Sequence, residues 1–302
     1  MSALVVREGK RAPDVASASG MIRVIDGPEL EVRVLETDGI VLGALQRAGE
    51  LERPELPLSR RASGGGAVRV GPGTIHVVLA LPSPDALADA DTKKILNRYV
   101  RPLLKAITKA SIIASYFGRD WVSAAHRPIG AVSFGHDSES QRTTFEAFVA
   151  TKTPFAVTER ISFLGKSPAT LDHVAGKAID PAKLADAIVA AYAGAWRLDI
   201  ERAPIEDTPI ASALDEAPWL GRVEESIGPI LADKTNVGGE FMASSDAIAR
   251  IHDRLERTPD DFDAIGKLID AELSSPRVAL EGVKALRSFQ LALAKARGIA
   301  IP

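Results

Sequence analysis

The chain has 302 residues, 46% hydrophobic and 25% charged, the balance of an ordinary globular protein long enough for one large domain and a small one. Lys+Arg 37 against Asp+Glu 40 leaves a net charge of −3, which gives no general drive toward nucleic acid or an anionic membrane surface. The absence of cysteine excludes disulfides, thiolate metal sites and a cysteine nucleophile.

Met1–Gly20 has no sustained period and ends in Ala-Ser-Ala-Ser-Gly, so it reads as a flexible arm. Arg7, Glu8, Lys10, Arg11 and Asp14 interrupt any apolar signal core. No stretch reaches ~18 uninterrupted apolar residues, so no membrane span is expected and the cytoplasm is the expected location. Met21–Ile25 and Leu30–Leu35 alternate apolar and charged residues around Asp26-Gly27-Pro28, the pattern of a β-hairpin. Gly39–Gly43 reads as a third short strand.

Arg60-Arg61-Ala62-Ser63-Gly64-Gly65-Gly66-Ala67-Val68 follows, and then the apolar run Ile75–Leu81. Three consecutive glycines are costly in a strand or helix interior, and make sense where φ is positive or something approaches the backbone closely. The stretch reads as strand, glycine turn, strand. It is either an anion cradle of amides and guanidinium groups or a Gly-rich surface hairpin.

Ile95, Leu96, Tyr99, Val100, Leu103, Leu104 and Ile107 form a helical stripe with Lys94, Arg98, Arg101, Lys105 and Lys109 opposite. Pro102 is expected to kink this helix or start a second one. Ile112–Phe117 reads as a buried strand, Ala131–Phe134 and Phe145–Ala150 as further strands, and Pro168–Trp196 as helical. Pro204–Pro218 is rich in Pro, Asp and Glu and reads as a linker. Beyond it, Val223–Leu231 reads as strand and three helices are expected: one capped at Ser245-Asp246, one starting at Pro259-Asp260-Asp261, and one running from Ser275-Pro276 to Gly298.

Common site motifs fail. Gly165-Lys166-Ser167 has Arg160 where a phosphate loop needs glycine, and no two of the five histidines are spaced i, i+4. Ile265 stands where an EF-hand loop starting at Asp261 needs an oxygen ligand, and Ala131 where a nucleophile elbow around Ser133 needs glycine.

The stretch Arg60–Val68 resembles the RRxSGGGAV signature of the lipoate–protein ligases, in the biotin/lipoate protein ligase superfamily. Four further segments agree in order: Gly39–Gln46, which ends in Gly-x-x-Gln; Gly118-Arg119-Asp120, similar to GRND with one residue missing; Ser167–Leu171; and Gly238–Met242. The resemblance implies an α+β fold: a catalytic domain with a mixed sheet at 21–203, a linker at 204–218 and a small, mostly helical accessory domain at 219–302, after the arm at 1–20. It implies ATP, with Mg as counter-ion, and lipoate or a related fatty acid as substrates, no tightly bound metal, and a lipoyl-type carrier domain as acceptor. By the same resemblance Arg61, Ser63, Gly64, Gly65, Gly66, Ala67, Asp120 and Gly130 bind substrate or nucleotide, and Arg127 takes the catalytic lysine's place.

The departures fall on that site. The family's Lys-x-x-Gly is Arg127-Pro128-Ile129-Gly130 here, and arginine is planar and larger than lysine. Its Tyr-His-Asp-x-Gly-Asn is Arg69-Val70-Gly71-Pro72-Gly73-Thr74, and the asparagine of GRND is gone. Gly71-Pro72-Gly73 is also similar to octanoyltransferases, whose thioacyl relay needs a nucleophile that this cysteine-free chain lacks. Two readings remain: an acyl-adenylate-forming protein ligase, and a non-catalytic binding protein on the same fold.

Overall fold

The alternation in the strand segments builds a large mixed sheet with helices on one face. The computed structural model describes residues 3–8, 25–51, 56–157, 163–205, 217–225 and 227–302. The first strands are Ala3–Glu8 (β1), Glu29–Val34 (β2), Gly39–Leu42 (β3), Leu58–Arg60 (β4), Val68–Val70 (β5) and Ile75–Leu81 (β6). After helix α1 (Ile95–Lys109) come Ala114–Tyr116 (β7), Trp121–Ala124 (β8), Arg127–His136 (β9) and Thr143–Val149 (β10). Helices Leu171–Ala175 (α2) and Pro181–Trp196 (α3) lead to Asp199–Pro204 (β11).

Eight strands form one sheet in the order β11-β1-β2-β6-β10-β9-β8-β7. β1 runs parallel to both β11 and β2, and every other pair is antiparallel. A period of two sends Val77, Leu79, Phe134, Phe145, Ala147 and Val149 to one face, where they join Leu103 and Ile107 of α1 and Ile188 and Tyr192 of α3 in the main core. Tyr192 Oη donates to the Tyr99 carbonyl at 2.7 Å, tying the two helices together.

Several expectations change. Ala3–Glu8, read as part of the arm, is a strand, because Leu4 and Val6 bury one face while the backbone pairs on both sides. Residues 21–24 of the expected hairpin lie outside the described residues, and β2 pairs with β1 and β6. α1 continues through Pro102, which is buried on its inner face. β7 is a half-buried edge strand of the sheet rather than a buried one, with Ile113 79% and Phe117 62% exposed just beyond its two ends. Residues 206–216 of the expected linker lie outside the described residues.

The glycine turn does not join a hairpin. β4 and β5 both pair with β3, one parallel and one antiparallel, in a separate three-stranded sheet. Toward the C-terminus, Gly221–Val223 (β12), Ile230–Ala232 (β13) and Val237–Gly239 (β14) form a second small sheet, so the single strand expected at 223–231 is two. Met242–Ala243 (β15) pairs with Leu280–Glu281 (β16). Helices Ser245–Leu255 (α4), Phe262–Leu273 (α5) and Arg287–Arg297 (α6) enclose a core of their own around Ile251, Ile265, Phe289 and Leu293. α6 begins at Arg287 rather than at Ser275-Pro276, because β16 intervenes. Gly298, at φ 69°, ends it as expected.

Candidate functional site

The helix-free face of the large sheet carries a buried polar row. Glu146 sits opposite Ser133 on one side and Val78 on the other, and His76 sits between Arg33 and Phe148. Glu146 and His76 are both fully buried. His76 Nε2 lies 2.6 Å from Glu146 Oε1, and Arg33 Nη2 lies 3.2 Å from His76 Nδ1. A guanidinium only donates, so Nδ1 is the acceptor and the single ring proton is on Nε2, directed at Glu146. Burial lowers the His76 pKa against the opposing pull of Glu146, in keeping with this neutral tautomer. The ring stacks on Phe148 at 4.4 Å, and Arg33 continues the row to Glu31 at 3.0 Å.

The glycine turn closes over this row. Ser63 Oγ donates to Glu146 Oε2, accepts from Arg61 Nε at 3.0 Å and lies 2.8 Å from Ser133 Oγ. Its one proton points at Glu146, so Ser133 donates to it and both lone pairs of Ser63 are filled. Arg61 is buried and curls into the turn, giving Nη1 to the Val41 carbonyl and Nη2 to those of Gly64 and Gly66.

Two of the turn's amides are engaged as well. Gly64 N–H donates to the Phe134 carbonyl and Gly65 N–H to that of Phe241, just before β15. Gly65 has φ 86°, a conformation natural to glycine. A Cβ on Gly64 would lie 2.8 Å from Met242 Cα and from the Phe241 carbonyl oxygen. Gly64 and Gly65 therefore serve a close backbone approach between the turn and the C-terminal segment, and their two amides face carbonyls.

Ala67, half-buried, leads into β5. Asp120 is buried just ahead of β8, its carbonyl accepting from Val132 N–H. Gly130 faces Val149 across β9 and β10, where a Cβ would meet the Phe148 carbonyl at 2.2 Å. Arg127 stands six residues before Ser133 on β9, about 20 Å along the strand. Among the described residues, every hydrogen bond of its guanidinium goes to the segment 167–173. Nε donates to Ser167 O, Nη2 to Pro168 O, and Nη1 to His173 Nε2 at 2.6 Å. The structure brings Arg61, Ser63 and the three glycines together and turns Arg127 elsewhere.

Between the glycine-turn sheet and the large sheet lies an aromatic cluster. Val41, Val68 and Val70 on one side and Ala131 and Phe148 on the other enclose Trp121, Phe155 and Phe163. Phe163 meets Trp121 edge-on at 5.3 Å and Phe155 at 5.7 Å. The chain's own aromatic rings fill the apolar layer between the two sheets.

No family model matches the sequence, and no curated protein matches it. Solved structures do. A bipartite lipoate protein ligase system from Thermoplasma acidophilum, described with its E2 lipoyl domain, superposes with a TM-score of 0.54 at 14% identity, over 68% of this chain and 88% of that one. Lipoate-protein ligase A bound with ATP gives 0.52 at 15% identity, over 68% and 90%. The Thermoplasma acidophilum ligase with bound lipoic acid gives 0.53 at 14%, over 68% and 90%. The fold is that of the lipoate–protein ligases. On this fold, the residues that the sequence did not single out are Arg33, His76 and Glu146. Their signal was a charged or titratable side chain inside otherwise apolar strands, Ile-His-Val-Val-Leu and Phe-Glu-Ala-Phe, where burial demands a partner.

Proposed function

We propose that this chain is a non-catalytic binding protein on the lipoate-ligase fold. The observation that carries the reading is the engagement of Ser63, Arg61 and the Gly64 and Gly65 amides by the protein itself. Ser63 has no free valence, Arg61 holds the turn's own carbonyls, and the Gly64 and Gly65 amides serve Phe134 and Phe241. Adenylate formation brings two anions together, and needs preorganised donors aimed at them. Here a protein carboxylate, Glu146, takes the place beside Ser63, and Arg127 faces the 167–173 segment. The reading keeps a catalytic-type unit, which by its sheet runs from β1 to β11 rather than from 21 to 203, an accessory unit at 219–302, and a lipoyl-type carrier domain as the protein partner.

Incubation with ATP, labelled pyrophosphate and lipoate or octanoate tests it. No exchange into ATP is expected with either acid, while calorimetry with an isolated lipoyl domain is expected to register binding. Exchange above background would overturn it.

The second reading is an ATP-dependent lipoyl- or octanoyl-protein ligase. It is favoured by the intact Arg61-Ala62-Ser63-Gly64-Gly65-Gly66 turn with Met242 of the C-terminal segment packed on it. On this reading ATP with Mg and the acid bind at Arg61, Ser63, Gly64, Gly65, Gly66, Ala67, Asp120 and Gly130, with Arg127 in the lysine's role. The same exchange assay separates the two.

A further inference from the structure

The large sheet ends on two edge strands of opposite character. β11 carries Asp199, Glu201 and Arg202 and finishes on Pro204, the charges and proline that blunt an edge against further pairing. β7 has neither device. Residues 111–118, Ser-Ile-Ile-Ala-Ser-Tyr-Phe-Gly, contain no charged residue and no proline.

Among the described residues, the three most exposed large apolar side chains are Ile113, Phe117 and Leu164. Ile113 and Phe117 flank β7 directly. The turn that carries Leu164 reaches the same edge through Lys166, whose Nζ lies 5.6 Å from the centre of the Phe117 ring. Exposed apolar side chains gathered in one place mark a protein contact, whereas scattered ones need no explanation.

The backbone of this edge is open as well. Ala114 N–H is directed at Thr108 Oγ1, a long hydrogen bond of 3.5 Å, rather than at β8. The alternation of an antiparallel strand turns the Tyr116 N–H outward with it, while that of Ser115 faces β8. A second β7, antiparallel about a two-fold axis at Ser115, accepts both outward groups: Ala114 N–H meets the Tyr116 carbonyl of the second copy, and Tyr116 N–H its Ala114 carbonyl. Ile113 then lies across from Phe117 of the second copy, an apolar cross-strand pair formed twice. No charged residue of the edge meets its own image at the axis, and the two Lys166 side chains, one beside each Phe117, stand at opposite ends. A charged foreign strand finds no complementary charge on residues 111–118, whereas the order of these residues is complementary to itself.

We infer that β7 is a self-association edge: two copies of this chain pair through residues 113–117 about a two-fold axis at Ser115, joining their large sheets. Because each copy offers the same surface, the pairing closes at two. The edge lies apart from the glycine turn, and the inference stands under either reading of that turn.

Sedimentation velocity of the full chain from about 1 to about 100 μM is expected to show a monomer–dimer equilibrium. The chain has no cysteine, so Ser115→Cys introduces a single thiol. Residues opposed at such a position have Cα atoms about 4.5 Å apart, within disulfide reach, so mild oxidation should yield a disulfide-linked dimer. Ser111→Cys, exposed but off the axis, should yield little. Ile113→Lys should weaken association about tenfold or more, and adding Phe117→Glu to it should restore association, because each lysine then faces a glutamate of the second copy. Both side chains are more than half exposed, so these variants are expected to fold as the parent does. A monomer at every concentration, assemblies larger than two, equal disulfide yields from Ser115→Cys and Ser111→Cys, or no restoration by Phe117→Glu would overturn the inference.

Discussion

Ser63 donates its only hydroxyl proton to Glu146, and Arg61 and Ser133 fill its lone pairs. A serine from a loop and a glutamate from a central strand are thereby locked in one buried network. Leaving a buried donor without an acceptor costs about 1–3 kcal/mol per group. Glu146→Ala strands both the Ser63 hydroxyl and the His76 Nε2–H, so a loss of about 2–5 kcal/mol is expected in urea unfolding. In a double-mutant cycle with Ser63→Ala, the two losses should fall short of additivity by about 0.5–3 kcal/mol. Additive losses would mean that the pair is not coupled.

The packing of Phe241 and Met242 on the turn makes a second prediction. Gly64→Ala places a methyl group against two backbone atoms at 2.8 Å, which cannot yield without moving the C-terminal segment away. Overpacking of this kind costs about 1–3 kcal/mol. Gly27→Ala, where nothing lies within 4 Å of the new methyl, is the control and should be near neutral. Equal midpoints for the two variants in thermal unfolding would remove the close-approach explanation of the glycines.

Much of this architecture was legible in the sequence, and the reasons are local. The alternation in Leu30–Val34, the stripe from Ile95 to Ile107 and the stop at Gly298 are short-range patterns, and each became the element it suggested. The glycine signature also pointed to the right neighbourhood. What the sequence did not carry was direction. Whether the amides of Gly64 and Gly65 face a ligand or the carbonyls of Phe134 and Phe241 depends on residues 70 and 176 positions away. Arg127 aligns with a catalytic lysine by spacing, yet its side chain is set by the carbonyls of Ser167 and Pro168. Ala3–Glu8 was missed because six residues with Arg7 and Glu8 at the end show little period, and the strand exists through its partners β2 and β11.

The aromatic cluster yields a third prediction. Phe163 is 2% exposed and meets two other rings. Phe163→Ala should cost about 3–5 kcal/mol through lost burial and the cavity that it leaves. If the layer between the two sheets is a closed core, the variant should gain binding of a small apolar probe such as benzene, read by a rise in melting temperature, where the parent protein shows none. A stabilisation of the parent by the same probe would show that the layer is open.

Acid sensitivity follows from three histidines. Burial lowers the pKa of His76, His136 and His252 below their ordinary value near 6.5. The unfolded chain then binds more protons than the folded one below about pH 6.5, so stability is full above that pH and falls as pH drops through the folded values. Each histidine contributes a slope of at most about 1.4 kcal/mol per pH unit in that window. Asp233, Asp246 and Glu272, whose pKa values are lowered, add their own losses only at more acid pH, below about 4. Urea midpoints should therefore be flat from pH 8 to 7 and decline from 6.5 to 5. His76→Gln should make that decline shallower by about one proton, and an unchanged slope would show that His76 does not titrate with unfolding.

Arg127 supplies the last prediction, because its contacts separate a structural arginine from a catalytic one. The guanidinium holds Ser167 O, Pro168 O and His173, next to a backbone that continues through Ala169 N–H to Pro128 O and Leu171 N–H to Ala150 O. Arg127→Ala removes three hydrogen bonds at a partly exposed position, worth about 0.5–1.5 kcal/mol each at most. Amide exchange at Ala169 and Leu171 should accelerate, while amides of β6 and β10 at the sheet centre keep their rates. Binding of the carrier domain is expected to survive, since among the described residues the guanidinium's hydrogen bonds all go to the segment 167–173. A loss of carrier binding with exchange rates unchanged would reverse that assignment and return Arg127 to the site.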